Sequence, residues 1–147
     1  MTHILRVNPN DLINKVAVQL KQQKLVEPTE WSKFVKTGHH KQRLPDSPDW
    51  WYARSAAMLR AIARLGPIGT SKLRTKYGGK KNRGHKPEHV YRASGSIIRH
   101  ILQQLEKSEL IKQVAKGVHK GRVLTPKGIS FLDKIAVQLA KEQNGSA

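Results

Sequence analysis

Residues 48–77 read PDWWYARSAAMLRAIARLGPIGTSKLRTKY, and this stretch decides the fold. Ser47-Pro48-Asp49 is a helix-start signature and Gly66-Pro67-Ile68-Gly69 a stop, so one helix is expected from about Pro48 to Leu65. At 100° per residue, with Arg54 set at zero, Arg60 falls at about 240°, Arg64 at about 280° and Trp50 at about 320°. Met58, Leu59, Ile62, Trp51, Ala56 and Leu65 occupy the other side. One face is core and the other is basic. Trp50 projects from the basic side among Ala53, Ala57 and Ala61, whose small side chains let a partner backbone approach closely. Arg54 and Arg60 are expected to stand clear of the core. Beyond the stop, Thr70 or Ser71 caps a short helix to about Tyr77 that carries Lys72, Arg74 and Lys76.

Downstream, GGKKNRGHKP from Gly78 to Pro87 holds three glycines and four cations with almost nothing to bury, so a mobile or partner-ordered loop is expected. A helix then starts at Ser94 or Ser96 and runs to about Ser108. Its stripe is Ile97, Ile98, Ile101, Leu102 and Leu105, with Arg99, His100, Gln103 and Lys107 outside. Ile111–Val114 and Arg122–Leu124 read as strands joined through Lys116, Gly117, Lys120 and Gly121, a small basic hairpin. Thr125-Pro126-Lys127 opens a last helix with Ile129, Leu132, Ile135, Ala136 and Leu139 on one face, before a frayed tail from Gln143 to Ala147. Upstream, Asn8-Pro9-Asn10-Asp11 opens a helix striped by Leu12, Ile13, Val16, Ala17 and Leu20. A short helix from Thr29 takes in Trp31, Phe34 and Val35, and residues 37–48 read as a loop. The order helix, short helix, helix, basic hairpin, helix is that of a winged helix-turn-helix. The fold class expected is mainly α with one small β-hairpin. A chain of 147 residues fits one domain, with the winged-helix-like core over about 48–142.

Charge narrows the partner. Residues 50–105 hold twelve Lys or Arg and one acid, Glu88, within a chain of net charge +18. So concentrated an excess opposes compaction and reads as the footprint of a polyanion. Cysteine is absent, which removes disulfides, thiolate metal sites and cysteine nucleophiles. No stretch approaches the roughly 20 apolar residues of a membrane span, and the cations are not confined to one amphipathic segment. A soluble, intracellular protein without membrane contact is expected.

Arg54, Arg60 and Arg64 on the central helix, and Arg99 on the later one, suit phosphates through their guanidinium forks. Lys80, Lys81, Arg83 and Lys86 of the glycine-rich segment suit phosphate contacts that release counterions. Lys72 and Arg74 of the short helix, with Lys120 and Arg122 of the hairpin, complete the candidate nucleic-acid-binding set, and Trp50 is a candidate base-stacking platform. His85-Lys86-Pro87-Glu88-His89 matches an H-x-x-E-H zinc motif, but Pro87 disfavours the continuous helix that would bring both histidines to one face. His39-His40 reads as a solvated pair. No phosphate loop, serine elbow or paired-carboxylate pattern is present. Neither catalysis, a cofactor nor a metal is expected.

Four stretches carry a family resemblance: PDWWYARSAAMLR from Pro48, GPIGTSKLRTKYGGKKNRGHKPEH from Gly66, SGSIIRHILQQLEK from Ser94 and GRVLTPKGISFLDKIA from Gly121. With VNPNDLINKVAVQL near the N-terminus, they resemble the S19e family of small-subunit ribosomal proteins, nearest its archaeal branch. The loop over residues 37–47 and the turn around Gly117 fall outside the matching pattern. The resemblance implies a winged-helix-like protein in the cytoplasm and on the ribosome, monomeric when free. It implies binding to rRNA and precursor rRNA in the head of the small subunit, beside neighbouring head proteins, and support of subunit assembly and rRNA maturation. It also implies a binding role for Trp50, Arg54, Arg60 and the Gly78–Pro87 segment. The alternative permitted by element order alone is a winged-helix transcriptional regulator that reads DNA as a dimer.

Overall fold

The computed structural model describes residues 3–145. Helix α1 spans Pro9–Gln22 and begins as its sequence requires: the Asn8 side chain accepts a hydrogen bond from the Asn10 N–H at 3.0 Å, with proline in the first turn. Leu12, Val16 and Leu20 of its stripe are fully buried. The short helix near Trp31 is a single 3₁₀ turn, Glu30–Lys33. It stops before Phe34, which is left 79% exposed instead of joining the core.

Helices α2 (Trp50–Leu65), α3 (Thr70–Lys76) and α4 (Gly95–Lys107) follow in the expected order. All five apolar stripe residues of α4 are buried. Strands β3 (Ile111–Lys116) and β4 (His119–Leu124) form the wing, an antiparallel hairpin longer than its sequence suggested, turning through Gly117 and Val118. The segment after α2 adds to the wing, because Ile68 and Arg122 exchange both backbone hydrogen bonds at 3.2 and 3.0 Å. Helix α5, Pro126–Gly145, closes the chain, with the Thr125 hydroxyl accepting from the Gly128 N–H at 3.1 Å. The helix continues through Gln143, where a frayed tail was expected, and the last two residues of that tail lie outside the described residues.

One expectation is corrected. Residues 78–87 are not an irregular loop but part of a second antiparallel hairpin, β1 (Gly79–Arg83) with β2 (Lys86–Tyr91). The backbone ladder satisfies its own polar groups without burying side chains, so no alternating apolar pattern marks it in the sequence. Its turn rests on local chemistry: the Asn82 side chain accepts from the Gly84 N–H at 2.9 Å, and Gly84 sits at φ +74°. Glu88 and His89 lie on β2, so the zinc-motif histidines sit in a turn and a strand.

A single apolar cluster joins the first helix to the winged-helix elements, and Trp51, Met58, Leu59, Ile98, Leu102 and Leu132 lie at its centre with at most 0% exposure each. Gly121 is what lets the wing approach α2's exit: a Cβ there would stand 2.6 Å from the Ile68 backbone nitrogen. Gly121→Ala is therefore expected to lower stability by about 1–3 kcal/mol in urea unfolding, through forced overpacking. Gly69→Ala, whose added Cβ meets nothing closer than 3.8 Å, is the matched control.

Candidate nucleic-acid interface

Ala53, Arg54 and Ala57 do face away from α2's own apolar stripe, but they are half-buried rather than fully exposed. Tyr77, at the end of α3, folds back so that the Arg54 guanidinium lies 4.4 Å from its ring centre. Burial pushes the Arg54 pKa down, partly offset by Tyr77, while arginine stays charged at any ordinary pH. Burial likewise raises the Tyr77 pKa, against the opposing pull of Arg54 and Arg60. Arg54, Arg60 and Tyr77 thus form one cluster in which two like charges share an aromatic neighbour. The expectation that both arginines stand clear is corrected: the guanidinium of Arg54 is covered by Tyr77, and the Nε of Arg60 is buried with no hydrogen-bond partner. Trp50 is half-buried, edge-on to Trp51 with ring centres 5.3 Å apart, and keeps one side on a groove beside Ala53, Arg54 and Ala57. Arg64, one turn beyond Arg60, is exposed.

The second hairpin carries cations into solvent. Lys80, Arg83 and Lys86 are exposed, with Arg83 and Lys86 paired across the tip. Lys81 is half-buried, its ammonium 5.8 Å from the Tyr91 ring centre and 3.4 Å from His39 Nε2. On α3 Lys72 is exposed, on α4 Arg99 is exposed, and on β4 Lys120 is exposed. His100 does not share the open face of α4, because its ring packs edge-on against Trp31 at 5.2 Å.

Two of the candidate cations are internal fasteners. The Arg74 side chain donates from Nε to the Ala93 carbonyl at 3.1 Å, while the Arg74 carbonyl accepts from the Ala93 N–H at 2.9 Å. This clamp fixes the exit of the second hairpin to α3. Arg122 lies 3.4 Å from Glu106 with only 18% of its side chain exposed, which ties the wing to α4.

Sequence reasoning missed the loop over residues 36–47, where mixed charges masked the cations Lys36, Lys41 and Arg43. The loop is docked: Thr37 accepts from the Ser94 N–H at 3.0 Å, and Gly38 bridges to Ala93. Its histidines differ: His39 is exposed, as expected, whereas His40 is half-buried. His39 meets Tyr91 edge-on at 4.4 Å, and His40 is wedged against Gly38 and Gly79, where added Cβ atoms would come within 2.8 and 3.1 Å of its ring. Glycines at both positions, each with no side chain, make that slot.

Fold and site together define a class: a winged-helix protein whose middle third presents a polycationic surface. The family described as ribosomal protein S19e matches residues 3–142. Among similar proteins, small ribosomal subunit protein eS19 of Aeropyrum pernix is 44% identical over 144 residues, covering 97% of this chain and 92% of the relative. The protein of the same name from Thermoplasma acidophilum is 41% identical over 135 residues, covering 91% and 87%. Small ribosomal subunit protein eS19G of Ascaris suum is 37% identical over 146 residues, covering 99% and 97%. This chain belongs to the S19e family of ribosomal proteins.

The His40 slot makes a pH prediction. Burial, then Lys41 and Arg54, lowers the His40 pKa below its ordinary value of 6.5. A depressed folded-state value means that the neutral ring supports the fold fully above the ordinary pKa, and that this support is lost as pH falls through the folded value. Between pH 7.5 and 5, the thermal midpoint of the wild type is expected to fall more steeply than that of His40→Gln. Parallel slopes would remove His40 as the cause.

Proposed function

We propose that this protein, a structural constituent of the small ribosomal subunit and not an enzyme, grips folded rRNA through cations on several elements at once. The observation that carries the reading is electrostatic. Among the described residues, Lys80 alone of the Lys and Arg side chains between Trp50 and Leu105 has an acid within ion-pair reach, Glu88 at 4.0 Å. The remaining exposed cations, Arg64, Lys72, Arg83, Lys86 and Arg99 among them, lack an internal partner, and phosphates supply one with release of counterions. Trp50, Arg54, Arg60, Lys80, Lys81 and Lys120 belong to the same proposed contact set, whereas Arg74 and Arg122 act by positioning it.

The partners proposed are rRNA and precursor rRNA of the subunit head, with neighbouring head proteins, and the free protein is a monomer in the cytoplasm. Holding folded RNA from more than one side supports subunit assembly and rRNA maturation without any reacting group. A DNA-reading winged helix concentrates its cations on the helix laid in the major groove and on the wing. Here α2, α3 and the second hairpin carry more of them than α4, which disfavours that alternative.

Because Arg54 and Arg60 are partly covered, the cleaner test reverses Arg64 and Arg99, both exposed. Arg64→Glu/Arg99→Glu is expected to keep its thermal midpoint within about 2 °C of the parent. Its incorporation into small subunits, read by gradient sedimentation, is expected to fall at least roughly tenfold. Normal incorporation of this double variant would count against the proposal.

A further inference from the structure

Two concavities straddle the loop over residues 36–47. The first, about 680 Å³, lies between the loop and α2 and is lined by Lys41, Arg43, Leu44, Trp50, Ala53 and Arg54, among others. The second, about 640 Å³, lies between the loop and the second hairpin and is lined by Lys36, His40, Lys41, Lys80, Lys81 and Asn82, among others. Lys41 belongs to both, so the two meet at the loop itself. Their linings hold the cations Lys36, Lys41, Arg43, Arg54, Lys80 and Lys81 against one carboxylate, Asp46.

We infer that this loop clamps an unpaired RNA strand, with phosphates over Lys41 and its neighbouring loop cations and a base against Trp50. The inference rests on the rRNA reading above and adds the form of RNA that is recognised. Both clefts fall within the size range of small-ligand pockets, about 300–1,000 Å³, which admits splayed nucleotides. A paired A-form helix instead offers phosphates and 2′-hydroxyls over a broad, shallow surface that no such cleft admits. Cationic grooves with an aromatic platform are the physical solution for single strands. The floor of the first cleft, Ala53 and Ala57, extends no further than Cβ, so a sugar-phosphate backbone can come close to the Arg54 guanidinium. The receptor is preformed: Thr37 is tied to Ser94, the Lys41 N–H donates to the Gly38 carbonyl at 3.1 Å, and His40 fills its slot. Little ordering cost remains when the strand arrives.

The test uses the full chain and three probes in fluorescence anisotropy at about 150 mM salt: an oligouridine decamer, a blunt RNA duplex of the same length and an oligoglutamate decamer. The parent is expected to bind the single strand at least roughly tenfold more tightly than the duplex. Lys41→Glu/Arg43→Glu, at two exposed positions, erases that preference, whereas Arg99→Glu weakens both RNAs alike. Equal binding of both RNAs by the parent overturns the inference, as does displacement of RNA by oligoglutamate at matched concentration. A loop variant that weakens both RNAs alike does the same. In each of these results the parent still binds RNA and the wider reading stands; binding of neither RNA by the parent overturns both. Photocrosslinking of a 4-thiouridine-containing decamer to the parent supplies a readout free of substitutions. Adducts within residues 36–54 support the clamp, and adducts confined to α4 and the wing contradict it.

Discussion

The indole of Trp51 is the junction on which the other elements depend. It is completely buried in the first turn of α2, so its N–H requires a partner inside the protein. Gln104 of α4 provides one at 3.0 Å, and the same amide donates to the Glu27 carbonyl at 2.6 Å. Trp31 packs edge-on at 5.7 Å, and the Ser55 hydroxyl donates to the Trp51 carbonyl at 2.8 Å. One side chain thereby couples α2, α4, the 3₁₀ turn and the linker after α1. The basic surfaces of α2 and α4 are carried on this joint, and their relative placement follows from it.

Around that joint the cations divide into two kinds. Arg74 and Arg122 face inward partners, a carbonyl and a half-buried carboxylate, and hold the two hairpins to the helices. The cations of the middle third that point outward have almost no internal acids, so the free protein carries a self-repulsion that the apolar core must overcome. A polyanion relieves this repulsion when it binds. Fold and partner are linked in that sense: the core fixes where the charges stand, and the phosphates neutralise them. Arg54 is intermediate, since its planar face is covered by Tyr77 and its edge borders an open groove. Such stacking fixes the direction of a guanidinium fork before a phosphate arrives.

Much of this was legible from periodicity. The stripe Ile97, Ile98, Ile101, Leu102 and Leu105 is buried as its spacing demands, and the caps at Asn8 and Thr125 form as their side chains allow. The second hairpin escaped because its residues are mostly exposed on both faces, and a ladder held by backbone groups leaves no period-two signal. A helical wheel shows which side of α2 turns from its own stripe, but not that Tyr77 and the 36–47 loop return to cover that side. For the same reason Arg74 and Arg122 are indistinguishable from solvent-facing cations until Ala93 and Glu106 are seen beside them. The end of α1 was also obscured, because the left-handed position that follows it holds Lys24, at φ 49°, where glycine is usual. Long ordered stretches of family pattern conveyed the partner, which single motifs did not.

Lysine-reactivity footprinting tests the central claim most directly, with mild acetylation of the free protein compared against the protein in intact small subunits. Lys72, Lys80 and Lys86, exposed on α3 and the second hairpin, should lose reactivity on assembly. Lys134 and Lys141, exposed on α5, should keep most of theirs. Middle-third lysines that stay as reactive in the subunit as in the free protein, while those of α5 are shielded, would contradict the account.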